Sequence, residues 1–182
     1  MSSEYKTKQY YKLRREWKEI KSEYNDLKLL FDQICIEFTR SITLFCDDHD
    51  LGDPFPETAQ STQNVGGLTT SSSKSFFRKI VMSTHPDKAS NNSQKTKKIY
   101  TQATTAKKSG NFQELLDVGR ETSLSPDIST MSLEDLDILE GNINELKDKM
   151  LKIKNSYAWV WFHANPNKRN EIFYNFIESH AK

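Results

Sequence analysis

A stripe of apolar side chains, spaced alternately four and three residues apart, runs through the N-terminal part of the chain. Lysine, arginine and glutamate fill many of the positions between them, which is the pattern of an amphipathic helix with one buried face. We therefore predict one helix over residues 1–50. Forty residues of such a helix would extend for about 60 Å. The stripe consists of Leu13, Trp17, Ile20, Tyr24, Leu27, Phe31, Ile34 and Phe38, and is continued by Ile42 and Phe45.

A second stripe with heptad spacing lies near the C terminus. Ser132 can cap the start of its helix, and Asp135 stands at the capping-box position. Met131 can pack on Leu136 as a hydrophobic staple. Gly141 inside the helix costs about 1 kcal/mol relative to alanine, which the apolar stripe should outweigh. The helix is predicted over 131–162, and its stripe consists of Leu136, Leu139, Ile143, Leu146, Met150, Ile153 and Tyr157.

Two striped helices in one chain predict an all-α protein in which the stripes cover each other. We expect an antiparallel coiled-coil hairpin, with the intervening residues near the far end of the first helix. The alternative is a homodimer in which the helices pair between two chains. It uses the same stripes, so the sequence does not distinguish the two arrangements.

A short aromatic helix is predicted over 165–180. Asn165 is suited to cap it and Pro166 to occupy its first position. Ile172, Phe173, Phe176 and Ile177 share one face. This segment is expected to fold back as a satellite core, and the alternative is a contact surface for a partner, which aromatic residues also favour.

Residues 51–73 read as a linker that is first acidic and then rich in Ser and Thr. The run from Thr70 to Ser73 offers several caps for a following basic helix. Phe77, Ile80 and Val81 are spaced to form its buried face, with Thr84 closing that stripe, whereas Lys74 and Arg78 share another face. Pro86 should end the helix at His85.

This segment resembles the J domain, the module of DnaJ-type co-chaperones. Phe77 stands where the family has a tyrosine, Arg78–Ile80 follows it, and His85–Lys88 carries the His-Pro-Asp loop of the family. Ile99–Leu116 is similar to the third helix and the short helix after it, with Ile99, Ala103 and Ala106 facing the second helix. The resemblance covers residues 73–122. Residues 51–73 lack the family's first helix, so either that helix is missing or another part of the chain covers the exposed flank.

The resemblance implies a J-like module over 74–122 that consists of an antiparallel helix pair with a His-Pro-Asp loop. It implies binding to the ATP-bound form of a DnaK-class (heat-shock-protein-70) chaperone and stimulation of its ATP hydrolysis. The protein would be no enzyme itself and would need no cofactor and no metal. Its size and Trp-rich tail are similar to those of J-like proteins of large DNA viruses. The residues implied in partner binding are His85, Pro86, Asp87, Lys74, Arg78, Lys79 and Lys88.

The uneven distribution of charge agrees with such a docking surface. Residues 74–108 contain nine Lys or Arg and one acid, a net charge of +8, while 47–73 contain five acids and no Lys or Arg. A basic block can be a solvated helix face, or it can steer an acidic partner. Nucleic-acid binding is disfavoured because no aromatic platform alternates with the lysines. An adaptor for an unknown client, in which the J-like module is only structural, is the alternative function.

Other chemistry is not expected from this sequence. The acidic run Asp47–Asp50 lacks the spacing of a calcium loop and reads as a solvated helix end. Cys35 and Cys46 lie about 16 Å apart along one helix and cannot form a disulfide with each other, which suits a reducing compartment, the cytosol or nucleus. No run of residues is apolar enough to cross a membrane, and the N terminus does not read as a secretory signal.

Overall fold

The computed structural model describes residues 3–55, 67–84 and 94–180, and in these ranges it is entirely helical, as expected. Seven α helices and two 3₁₀ turns occur in the described part, and no strand does. The 3₁₀ turns are Ile128–Thr130 and Pro166–Lys168. The helices are α1 (Ser3–Asp48), α2 (Ser71–Thr84), α3 (Gln94–Ser109), α4 (Phe112–Glu121), α5 (Leu133–Lys154), α6 (Tyr157–His163) and α7 (Arg169–His180).

The chain divides into two compact units. The first unit comprises Met1–Ile20 and Gln63–Glu145, and therefore contains the first turns of α1, all of α2 to α4 and the first half of α5. The second unit comprises Lys21–Thr62 and Leu146–Lys182, and contains the remainder of α1 and α5 with α6 and α7. Each unit buries apolar residues of the predicted stripes within a single chain.

The long helix α1 lies inside the predicted range of 1–50. It is continuous over 46 residues because no proline or glycine interrupts it. Its C-terminal end is closed by Asp50, which adopts a left-handed conformation with φ of 53°. The amide of Leu51 then donates to the carbonyl of Cys46 at 2.9 Å, which satisfies one of the last open acceptors of the helix. Aspartate tolerates this conformation better than most residues, because its short side chain can hydrogen-bond locally.

The predicted capping box of α5 is confirmed. The amide of Asp135 donates to Ser132 Oγ at 3.1 Å, and the amide of Ser132 donates back to Asp135 Oδ2 at 2.8 Å. Met131 and Leu136, the expected staple, are both buried. The helix begins where the local sequence specified it.

The range 131–162, expected to be one helix, contains two. α5 ends at Lys154, and α6 begins at Tyr157. Ser156 separates them because its Oγ accepts a hydrogen bond from the Trp159 amide at 3.3 Å and so caps a new helix. Tyr157, the last member of the predicted stripe, is consequently exposed.

The second unit has an aromatic core to which the C-terminal segment contributes. Phe38 of α1 lies 5.6 Å from the Trp161 ring and 5.3 Å from the Phe176 ring, in edge-to-face contacts. Phe173 stacks on Trp161 at 5.6 Å. Asn165 accepts a hydrogen bond from the Asn167 amide and so caps the 3₁₀ turn Pro166–Lys168, whereas the helix predicted over 165–180 begins at Arg169. The aromatic tail thus packs against α1 as a core of its own.

The expected antiparallel hairpin is wrong within the first unit, where α1 and α5 run in the same direction. Lys6 Nζ donates to the carbonyl of Met131 at 3.1 Å, immediately before α5 begins. Two turns later in α1, Arg14 binds Gln113, whose amide donates to the carbonyl of Leu139 at 3.2 Å. Later residues of α1 therefore correspond to later residues of α5. The physical reason is that the α2–α4 segment packs beside the beginning of α1, so that α5 starts there as well.

Candidate partner-binding surface

The helix that carries the predicted basic face is α2, and Thr70 caps it. The Ser73 amide donates to Thr70 Oγ1 at 3.2 Å, and the Lys74 amide makes the first helical hydrogen bond to the carbonyl of Thr70 at 3.1 Å. Both Thr70 and Ser73 are buried, so the start of the helix is fixed inside the first unit. One of the caps expected in the Thr70–Ser73 run is therefore used.

The buried face of α2 differs from the expectation at two of its four predicted positions. Ser73, Phe76, Ile80 and Thr84 are buried, whereas Phe77 and the predicted Val81 are only half-buried. Phe76 is buried because Gly119 of α4 has no side chain: a methyl group at Gly119 would overlap the Phe76 ring. The packing of Phe76 thus requires a glycine more than forty residues away.

α3 packs against both α2 and α4. Ile99, Ala103 and Ala106 are all buried, as expected. The end of α3 lies against the start of the α2 segment, because the Leu68 amide donates to the carbonyl of Lys107 at 3.1 Å. Lys107 Nζ lies 4.8 Å from the centroid of the Phe77 ring, a cation–π distance. These contacts indicate that α2 and α3 run in opposite directions.

The three predicted basic residues of α2 are all exposed, but they do not share one face. Lys74 and Arg78 are four residues apart and point to the same side of the helix. Lys79 lies on the flank that borders Asp127. Hydrogen bonds from Ser129 hold the pKa of Asp127 below its usual value, and the charge of Lys79 lowers it further. Lys74 and Arg78 are therefore the better placed pair for an external partner.

An exposed apolar residue extends this face, and the sequence analysis missed it. Met82 is 64% exposed and follows Arg78 by one helical turn. Lys74, Arg78 and Met82 are each four residues apart, so the sequence places them on one side of the helix. The sequence prediction considered only the charged residues of that side and therefore did not include Met82.

The lysines in the first turns of α3 enlarge the positive surface but interact unfavourably with the helix dipole. Lys95, Lys97 and Lys98 are exposed in its first turns, which contain no acidic residue. The N-terminal end of a helix carries a partial positive charge, so each cation near it costs about 0.3–1 kcal/mol at low salt. Lys107 and Lys108 are instead in the last turn, where cations are favourable. The three early lysines therefore do not stabilise the helix that carries them.

The remaining predicted binding residues lie outside the described residues. These are His85, Pro86, Asp87 and Lys88, which follow Thr84 directly in the sequence. The described end of α2 therefore leads into the His-Pro-Asp segment.

A buried polar network attaches α4 to the start of α1. Arg14 Nη2 donates to Asp117 Oδ1 at 2.6 Å, and Trp17 Nε1 donates to the other carboxylate oxygen at 2.9 Å. Arg14 Nη1 also donates to Gln113 Oε1 at 2.6 Å and to its backbone carbonyl at 3.1 Å. Arg14 is 8% exposed and Gln113 is fully buried, so the charge is well shielded from water. α1 thus covers one side of the α2–α4 segment.

The sequence analysis assigned Trp17 to the stripe but gave no role to Arg14, Gln113 or Asp117. Arg14 lies next to the stripe residue Leu13, and its burial depends on acceptors about a hundred residues away. These contacts place the first turns of α1 against α4.

The start of α4 is capped twice. The side chain of Asn111 accepts from the Glu114 amide at 3.0 Å. Asn142 of α5 accepts from the amides of Phe112 and Gln113 at 3.0 and 3.3 Å. These amides would otherwise lack partners at a helix start, so α4 is held between α1 and α5.

No family model, curated protein or solved structure matches this chain in comparisons with known proteins. Among the described residues, no helix is both long and apolar enough to cross a membrane.

Proposed function

We propose that this chain is a J-domain co-chaperone that binds a DnaK-class chaperone in its ATP-bound form and stimulates ATP hydrolysis. In this proposal the α2–α3 pair acts as the J-like module, and His85, Pro86, Asp87 and Lys88 engage the chaperone together with Lys74 and Arg78. The chain does no covalent chemistry. It shifts the equilibrium between conformations of its partner by binding one of them more tightly.

The proposal is carried by exposed lysine and arginine residues on both sides of the His-Pro-Asp segment in the sequence, some of which reduce the stability of their own helix. Lys95, Lys97 and Lys98 oppose the dipole of their own helix. Lys74 and Arg78 are exposed on α2 and add two further positive charges. Residues that weaken their own helix while remaining exposed are explained by an external anion, such as an acidic protein surface.

The decisive measurement is single-turnover ATP hydrolysis by a purified DnaK-class chaperone. The wild-type chain should accelerate hydrolysis, and His85→Gln should abolish the acceleration without changing the far-UV circular dichroism spectrum. Stimulation that survives His85→Gln would refute the proposal.

The electrostatic part has a matched control. Lys74→Glu with Arg78→Glu reverses two charges on the α2 face, whereas Lys28→Glu with Arg40→Glu reverses two exposed charges on α1. We expect the first pair to weaken chaperone binding by about tenfold or more at low salt, and the second to leave it within about twofold. Lys79→Glu alone should have a smaller effect than Arg78→Glu, because Lys79 borders Asp127.

A second candidate function is a helical adaptor in which the α2–α4 segment is only a packing unit. The network of Arg14, Gln113 and Asp117 favours it, because it builds α4 into the same core as α1 and α5. Pull-down experiments with and without ATP separate the two functions. Capture of the chaperone only with ATP supports the co-chaperone, and capture of other proteins but never of the chaperone supports the adaptor.

A further inference from the structure

A groove runs between the first turns of α1 and the first turns of α5. Its charged residues are mainly acidic, whereas the α2 face is basic. The volume of the groove is about 380 Å³. Both walls belong to the first unit. The α1 wall follows positions 5, 9, 12, 13 and 16, and the α5 wall follows 133, 136, 137 and 140, so each wall is a single helix face.

The groove is apolar at its floor and along part of its rim. Leu13 and Leu136 are buried at the bottom, with 7% and 6% exposure. Tyr5 and Leu133 stand at the rim, with 43% and 47% exposure. Gln9 donates to the Tyr5 hydroxyl at 3.0 Å and helps to orient that ring. Two large exposed apolar side chains beside one groove offer apolar contacts to an incoming chain, which isolated surface leucines do not.

The charged residues that line the groove are mainly acidic. Glu16, Asp137 and Glu140 contribute three carboxylates, and Lys12 contributes the one cation among the described lining residues. A groove with this balance repels phosphate and other anions. It attracts a chain whose apolar side chains are flanked by lysine or arginine.

We propose that this groove binds a cationic amphipathic helix of a partner protein. A groove between two helices accepts a third helix through anchors at i, i+3 or i+4, and i+7, and the volume is within the range of specific binding pockets, about 300–1,000 Å³. The apolar anchors would lie over Leu13 and Leu136, between Tyr5 and Leu133. Basic residues on its flanks would meet Glu16, Asp137 and Glu140. This inference is independent of the proposed chaperone contact, which uses a different and basic face of the same unit.

The test uses three fluorescein-labelled model helices of about 15 residues, a length at which helicity in water is marginal but measurable. The first has leucine anchors flanked by lysines, the second has the same anchors flanked by glutamates, and the third has the lysines but serines in place of the leucines. Fluorescence anisotropy with the full-length chain should show saturable binding of the first peptide and at least about tenfold weaker binding of the other two. Equal binding of the leucine and serine peptides would overturn the proposal, since it would reveal only general attraction between charges.

Variants of the chain locate the binding site. Leu133→Asp should weaken binding of the first peptide by about tenfold, whereas Leu151→Asp, at another exposed leucine of α5, should leave it unchanged. Asp137→Lys with Glu140→Lys should shift the preference toward the glutamate peptide, and Asp148→Lys is the control for a charge change on the same helix. Circular dichroism confirms that each variant is folded, and Tyr5→Ala provides a second apolar variant.

Two results would contradict the inference. Peptide binding that is unaffected by both Leu133→Asp and Tyr5→Ala would place the binding site elsewhere. Sedimentation of a self-associated wild-type chain that Leu133→Asp converts to monomer would identify a second copy of this chain as the occupant. Because the chaperone assay does not depend on Leu133, failure here leaves the proposed function standing, and failure of that assay leaves the groove untouched.

Discussion

At the scale of single residues, two glycines in helices have opposite roles. Gly119 lies against the Phe76 ring with no room for a methyl group, whereas a methyl group at Gly141 would meet nothing within 4 Å. Glycine weakens a helix relative to alanine, so the same substitution should have opposite signs at the two positions.

We predict that Gly119→Ala destabilises the chain by about 1–2 kcal/mol, because overpacking against Phe76 exceeds the gain in helix propensity. Gly141→Ala should stabilise it by about 0.5–1 kcal/mol. Urea unfolding followed by circular dichroism measures both. A loss of stability in Gly141→Ala, or a gain in Gly119→Ala, would contradict this account of the α2–α4 contact.

The two cysteines give a chemical test of burial at single residues. Both are free thiols; Cys46 is 1% exposed and Cys35 is partly exposed. Burial raises the pKa of both thiols, and nearby aspartates raise it further. Since the thiolate is the reactive form, both should react slowly with a disulfide reagent at neutral pH. We expect Cys35 to react measurably and Cys46 only after unfolding, and rapid reaction of both in the native chain would disagree with this packing.

At the scale of elements, the Asp117 carboxylate is the charged acceptor among the groups that attach α4 to α1. Asp117→Ala should destabilise the chain by about 3 kcal/mol, because it leaves the shielded Arg14 charge without its partner. The matched control is the exposed pair of Glu4 and Lys8, where Glu4→Ala should cost less than about 0.5 kcal/mol. Urea unfolding compares the two variants, and equal effects would mean that the network contributes no more than a surface ion pair.

How far each element could be predicted depends on how local its determinants are. The capping box of Ser132 and Asp135 lies within four consecutive positions, so the sequence was enough to predict it. The packing of Phe76 depends on Gly119, and the burial of Arg14 depends on Asp117. Neither partner can be identified from spacing along one helix, since periodicity shows that a face is buried but not what covers it.

At the scale of the whole molecule, the direction of α5 relative to α1 was not predictable from the stripes. A heptad pattern reads the same whichever way the partner helix runs, because it records only which residues face inward. The all-helical class and the long N-terminal helix follow from composition and period alone. The parallel arrangement in the first unit follows from contacts such as that of Lys6 with Met131.

A distance between spin labels tests that direction. In a Cys35→Ser, Cys46→Ala background, labels at positions 8 and 134 should lie within about 25 Å, since neighbouring helix axes are 8–10 Å apart and each label adds its own length. An antiparallel pair would separate the same positions by about 30 Å along the axis alone. Pulsed electron paramagnetic resonance distinguishes the two distances.

The buried contact of Arg14 and Trp17 with Asp117 also determines how this protein can be shortened. A fragment cut at residues 73 and 122 would keep Asp117 but lose both donors to its carboxylate, together with the Asn142 cap of α4. The smallest piece able to fold like the intact first unit is therefore discontinuous in sequence, and must join the opening turns of α1 to a stretch that reaches into α5. Expression of residues 73–122 alone should give an unstable product, even though their sequence is intact.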